Sequence, residues 1–297
     1  MVEIIDIHRL VLELDKWKSI SEVSKHLGYN TSKLSRVLNR LIEKGEISKY
    51  FVVPLEALSP KPSILLISKT QKTNLPCFKK SLKTITSYYS FTSVPFYIIY
   101  FLGDCSLVEE NVVFPLCKYS VCMSIRETLI PLVNPETYTI ELTSALSDKI
   151  EKLDENDVIL LVELFRLFNP PSRSIRRNSE VIKYLESKIG VKNLRSRFYN
   201  KLYKYLTLRY AYRKDSDYLL IHITTPSTRE LVEVLNMFLQ MEIATSYLHV
   251  DVLSDIPLEV IVHAWGFYDK VIDENTSHQY VKNASYAIYP VIGVSYD

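Results

Sequence analysis

Glycine is scarce in this chain, with six in 297 residues, and the shortage removes whole classes of chemistry. There is no glycine-rich phosphate loop and no nucleophile elbow, and H-E-x-x-H and paired-carboxylate motifs are also missing. Cysteine is nearly as sparse. Cys77, Cys105, Cys117 and Cys122 all fall in the first half, which excludes a secreted disulfide framework spanning the chain. Cys117 and Cys122 have no second Cys or His pair at zinc-site spacing, so they read as buried or inert thiols. No uninterrupted apolar run reaches the ~18 residues of a membrane span. The N-terminus carries Glu3 and Asp6 in a helical pattern, unlike a signal peptide. These absences lead us to expect no catalytic residues, no metal, no cofactor and no membrane, and a cytoplasmic protein.

What the chain does have is segregated charge. Its formal net charge is only +2, yet Arg173 to Lys214 holds thirteen basic residues against two acidic ones, Glu180 and Glu186. That local +11 leaves −9 for the remainder, a distribution suited to a polyanionic partner. The basic residues are interleaved at helical spacing with Ile182, Leu185, Ile189, Leu194, Phe198, Leu202 and Leu206. The field therefore decorates a folded helical unit and not a disordered tail.

The first sixty residues predict three helices. Ile4, Ile7, Leu10, Val11 and Leu14 form one apolar stripe. Ser19 with Glu22 has capping-box spacing, and Gly28 stands where a helix stops. Asn30 can cap a third helix whose inner side is Leu34, Val37, Leu38, Leu41 and Ile42. At 100° per residue, Ser32, Arg36, Asn39 and Glu43 then project outward and Arg40 flanks them. A capped short helix, a tight turn and a longer helix with a polar outer face make a helix-turn-helix, whose second helix reads the major groove. Glu46 to Pro54 is β-rich and carries Lys49, as a wing or linking strand would.

From Ser63 the periodicity changes to β-α-β-β-α-β, the ferredoxin-like order, with helices at Phe78 to Ile85 and Ser106 to Val113 and with Ser120 to Ile125 as its last strand. The same programme then runs again. An apolar helix at Val158 to Phe168 is followed by a helix pair (Glu180 to Ile189, Asn193 to Leu206), a wing, and a second β-α-β-β-α-β segment from Tyr218. Gly28 and Gly190 are 162 residues apart, as are Pro95 and Pro257. The expected fold is α+β. It comprises a winged helix-turn-helix at 1–60, a ferredoxin-like domain at 61–150, a basic helix-turn-helix at 151–215 and a second ferredoxin-like domain at 216–297, in a pseudo-two-fold arrangement.

The segment S-E-V-S-K-H-L-G-Y-N-T-S-K-L-S-R-V-L-N-R-L-I-E-K-G-E-I, Ser21 to Ile47, followed by I-L-L-I-S from Ile64, resembles the Lrp/AsnC (feast/famine) transcription regulators. L-D-E-N-D-V-I-L-L, Leu153 to Leu161, is similar to that family's opening, so the resemblance covers the chain twice. It implies a helix-turn-helix joined to a ferredoxin-like effector and dimerisation domain, here fused into a single-chain pseudo-dimer. It also implies a small-molecule effector, and it allows a homodimer of the duplicated chain. The family's glycine-rich turn is replaced by S-V-P (Ser93 to Pro95) and S-D-I-P (Ser254 to Pro257), and no effector residues are assigned.

The expected function is a double-stranded-DNA-binding regulator of transcription. The residues expected to touch DNA are Asn30, Ser32, Lys33, Arg36, Asn39, Arg40 and Lys49 in the first unit. In the second they are Lys192, Arg195, Ser196, Arg197, Asn200, Tyr203, Lys204, Arg209 and Arg213. Lys201 falls nearer the core side. Charge reversal at Arg36 alongside Arg197 is expected to abolish binding. An architectural or replication-initiator DNA-binding protein is the alternative. A further alternative is an enzyme like the siroheme decarboxylases, which resemble the same family; it would draw on His222 and His263, which alternate with apolar residues on strands and could face one pocket.

Overall fold

The computed structural model describes residues 7–17, 19–54, 57–58, 62–68, 83–91, 95–102, 116–119, 121–129, 138–144, 153–169, 175, 177–213, 215–269 and 283–295. The helices are α1 (Ile7–Trp17), α2 (Ile20–Leu27), α3 (Thr31–Glu43), α4 (Glu155–Phe168), α5 (Asn178–Lys188), α6 (Leu194–Asn200) and α7 (Thr228–Gln240). The strands of the first half are β1 (Ile47–Val52), β2 (Pro62–Ser68), β3 (Lys83–Phe91), β4 (Pro95–Leu102), β5 (Leu116–Tyr119), β6 (Val121–Leu129) and β7 (Tyr138–Ser144). Those of the second half are β8 (Thr207–Tyr212), β9 (Asp217–Thr225), β10 (Ala244–Asp255), β11 (Leu258–Gly266), β12 (Ser285–Pro290) and β13 (Gly293–Ser295). The protein is thus a mixture of helices and antiparallel sheets. No helix among the described residues is long and apolar enough to cross a membrane.

The apolar stripes of α1 to α3 meet as one core of Leu10, Leu14, Val23, Leu34, Leu38 and Ile42. Gly28 ends α2 at φ 71°, which lets the Gly28 and Tyr29 N–H groups return to the Lys25 and Ser24 carbonyls. Asn30 Oδ1 accepts from the Ser32 and Lys33 N–H groups at 3.0 and 3.1 Å. Asn30→Ala is expected to cost about 1 kcal/mol, seen as a lowered urea midpoint with an unchanged slope. Ser19 precedes α2 but its side chain makes no cap bond, so the predicted capping box does not form there. A reciprocal cap is found instead at α4. The Asp157 N–H donates to Asp154 Oδ1 at 3.0 Å and the Asp154 N–H donates to Asp157 Oδ2 at 3.1 Å. α6 stops at Asn200, short of the predicted Leu206, because Lys201 leaves the helical path and a single 3-10 turn follows at Leu202–Lys204.

The strands predicted as wings pair with each other and not within their own units. β1 and β8 form a two-stranded antiparallel ladder, Ile47 opposite Tyr212 and Tyr50 opposite Arg209. Ile47 and Tyr210 belong to the core of α1 to α3, whereas Phe51 packs edge-on against Phe168 and Phe198 of the other helical set. Each helical set therefore closes its core partly with a strand from the opposite half.

The remaining strands form two sheets, ordered β12-β9-β11-β10-β6-β7 and β13-β3-β4-β2-β5. In the second half, β9 to β12 lie in spatial order fourth, first, third, second; β2 to β5 repeat that order in the first. The sheets also exchange strands. β6 pairs with β10 (Met123 opposite Val250), carrying β7 with it, and β13 pairs with β3 (Val294 opposite Tyr88). The strand expected at Ser120 to Ile125 thus crosses to the other sheet, β5 takes the fourth place in its own, and Ile85 lies on β3 and not on a helix. Residues 78–82 of the first expected helix, and all of the one expected at 106–113, lie outside the described residues.

α7 covers one face of the six-stranded sheet, burying Leu231, Val234, Leu235 and Phe238 against Leu219, Ile221, Val260 and Val262. At the end of β11, a Cβ added to Gly266 would land on the carbonyl oxygen of Ile243 and 2.7 Å from Leu219 Cδ1. That carbonyl already accepts from the Phe267 N–H at 2.9 Å. Gly266→Ala forces backbone to move and is expected to destabilise by about 3 kcal/mol, measurable by urea unfolding.

Candidate nucleic-acid interface

The outer face of α3 is assembled by the same periodicity that buries its inner face. Leu34 and Leu38 are 0% and 2% exposed, whereas Asn30, Ser32, Lys33, Arg36, Asn39 and Arg40 are all exposed. Asn30 spends its side-chain oxygen on the cap, so it orders the helix start. Arg36 folds its Nε back to the Ser32 carbonyl at 3.3 Å, which leaves its terminal guanidinium nitrogens directed elsewhere. This is a short surface of donors and acceptors beside the exposed N-terminal turn of a helix, a place suited to phosphate and base edges.

The second unit divides its predicted residues. Lys192, Arg195, Ser196, Asn200, Tyr203 and Lys204 are exposed. Arg195, Ser196 and Asn200 line a shallow open cavity with Glu186, Asn193 and Tyr199. Arg197 turns away from that group and donates to Asp154 and Asp157, each at 2.7 Å, and Lys201 donates to Asp157 at 2.7 Å. The hydrogen bond from Arg197 holds the Asp154 carboxyl down at about 2, and the same carboxylates raise Arg197 and Lys201 above their ordinary values. Both cations secure the start of α4.

Three further assignments are corrected by burial and pairing. Arg209 is 4% exposed and ion-paired to Asp15 of α1, so it ties the second half to the first and offers no charge to a partner. Arg213 is half-buried, its guanidinium 4.5 Å from the centre of the Trp265 ring. Lys49 lies inside the β1–β8 ladder opposite Tyr210, and burial lowers its pKa despite the opposing pull of Glu180. Of the ten described basic residues from Arg177 to Arg213, six are exposed: Arg177, Lys183, Lys188, Lys192, Arg195 and Lys204. Tyr199, which is not among the residues expected to touch DNA, is 44% exposed beside Tyr203 with ring centres 6.3 Å apart.

The two histidines considered for a tetrapyrrole pocket do not open onto a shared cavity. His222 is half-buried against Glu259 at 2.9 Å, and His263 is fully buried among Tyr100, Tyr218 and Asp251.

No family model and no curated protein matches this chain. Two solved structures do, both of the siroheme decarboxylase NirDL, one of them in co-complex with an iron-uroporphyrin III analogue. Each match covers 97% of this chain and 91% of the other at 12% identity, with TM-scores of 0.37 for the co-complex and 0.36 for the second structure. At that identity and TM-score the likeness carries no argument about function.

Proposed function

We propose that this protein is a DNA-binding transcriptional regulator resembling the Lrp/AsnC proteins, a single-chain pseudo-dimer with two unequal reading heads. The observation that carries the proposal is α3, capped at Asn30, packed on Leu34 and Leu38, and presenting Ser32, Lys33, Arg36, Asn39 and Arg40 to solvent. Those side chains are the types that hydrogen-bond base edges and phosphates in a major groove. The first head supplies discrimination. The second, through Lys192, Arg195 and Lys204, supplies phosphate contacts.

The pseudo-dimer reading is supported by symmetry in the pairings. Ile47 faces Tyr212, and Arg209, which lies 162 residues after Ile47, faces Tyr50, whose own counterpart at that offset is Tyr212. Tyr88 and Val250 are related by the same offset, and each accepts a strand from the opposite half. The strand order shared by the two halves supports ferredoxin-like domains. A ladder locked between both helical sets fixes the spacing of the two heads, as a reader of half-sites on one DNA face requires.

Genome-wide mapping of bound fragments tests the proposal. Discrete promoter-proximal peaks, with specific sites preferred over random duplex by about a thousandfold or more, are the expected result. Uniform coating of the chromosome would replace it with the architectural alternative, and no enrichment would overturn it.

A further inference from the structure

A second constellation lies away from the helical heads, on the face of the six-stranded sheet opposite α7. His249 and Asp251 of β10 and His263 of β11 are 3%, 0% and 0% exposed, and one donor atom from each lies within 4.8 Å of the others. Asp251 Oδ2 is 2.9 Å from His263 Nε2 and 3.9 Å from His249 Nε2. The Tyr100 hydroxyl, arriving on β4 from the first half, is 2.7 Å from both Asp251 Oδ2 and His263 Nε2. The two imidazoles stack with ring centres 3.9 Å apart. Beyond His263, the Tyr218 oxygen is 2.5 Å from Nδ1.

Packing alone gives no reason for so many polar groups in a core that also holds Phe165, Leu220, Leu248 and Ile261. A neutral imidazole offers a ring lone pair to an ion, and His249 and His263 are both buried beside the Asp251 carboxylate. Ligands about 2.0–2.2 Å from one ion in tetrahedral array lie about 3.4 Å apart, and the Asp251–His263 spacing of 2.9 Å and the His249–Asp251 spacing of 3.9 Å fall on either side of that value, so loading would draw His249 inward. Two imidazole nitrogens and one carboxylate oxygen form a donor set characteristic of divalent first-row transition metals.

We propose that His249, Asp251 and His263 bind one divalent transition-metal ion of the Zn²⁺ or Fe²⁺ class, with Tyr100 at the edge of the site. Loading places the His263 proton on Nδ1, which then donates to the Tyr218 oxygen, the outer hydrogen bond that orients ligating imidazoles. Because Tyr100 belongs to the first half and the three ligands to the second, the ion would fasten the halves together. His222, held by Glu259, takes no part. The inference stands independently of DNA binding.

The test uses the full chain, dialysed against a chelator and then equilibrated with Co²⁺ as the probe. A single Co²⁺ per chain with d–d absorption, displaced by Zn²⁺, is expected. His263→Gln should abolish the signal, and His249→Gln should weaken binding by about tenfold or more. Tyr218→Phe should retain the ion with affinity lowered by about ten- to a hundredfold. His26→Gln, at the surface pair with Glu13, should change nothing. Wild-type protein without the absorption, or His249→Gln binding as wild type does, overturns the site. The wild-type result decides even where a variant fails to fold.

Discussion

Charge reversal at Arg36 together with Arg195 is expected to lower affinity for duplex DNA by at least about a hundredfold, since each lost base or phosphate contact of this kind is worth about 1–3 kcal/mol and the new carboxylates repel the backbone. Both side chains are exposed, so thermal unfolding of the double variant should match wild type. Fluorescence anisotropy at one fixed salt concentration measures the first quantity and calorimetry the second. Arg197, which the sequence pairs with Arg36 for charge reversal, is unsuitable. It holds Asp154 and Asp157 at the start of α4, and its reversal would damage the fold and mimic a binding defect. Retained affinity in a folded Arg36→Glu/Arg195→Glu protein would contradict the placement of the heads.

Acid should unfold this protein at unusually mild pH. His249 and His263 are pushed from the ordinary 6.5 down to about 3, chiefly by burial, with the mutual proximity of the two rings and Arg209 also opposing charge on His249 and Asp251 favouring it. Between those values the unfolded chain binds protons that the native chain refuses. Stability is therefore complete above about 6.5 and is lost as pH falls through the window toward 3, by about 1.4 kcal/mol per pH unit for each histidine. From pH 6.5 to 5 the expected loss is about 2 kcal/mol per ring, read by urea titration in the presence of chelator. His249→Gln should give a shallower dependence. A flat profile would mean that the rings are solvated or carry a proton in the folded state.

Local periodicity made the helical units readable. α1 to α3 follow stripes whose phase is written in consecutive residues, and Gly28 and Asn30 mark the turn by their own conformational chemistry. β9 to β12 were equally plain because each is a run rich in β-branched and aromatic residues. What stayed hidden depends on contacts far apart in sequence. The pairing of β1 with β8, and the crossing of β6 and β13 to opposite sheets, are choices made between strand edges that sequence periodicity does not encode. Arg209 sits in a basic run, but Asp15, far away in the first helix, neutralises it. Arg197 lies on α6 beside solvent-facing cations, and only its pairing with the cap of α4 distinguishes it. The buried cluster has no motif, since His249 meets His263 through the register of β10 on β11 and Tyr100 comes from the other half.

The dependence of duplex affinity on salt tests the central claim most directly. Two heads that together neutralise about five phosphates must release their counterions, and log affinity should fall against log salt with a slope of about −4 or steeper. A slope near zero, with the protein folded throughout, would contradict it.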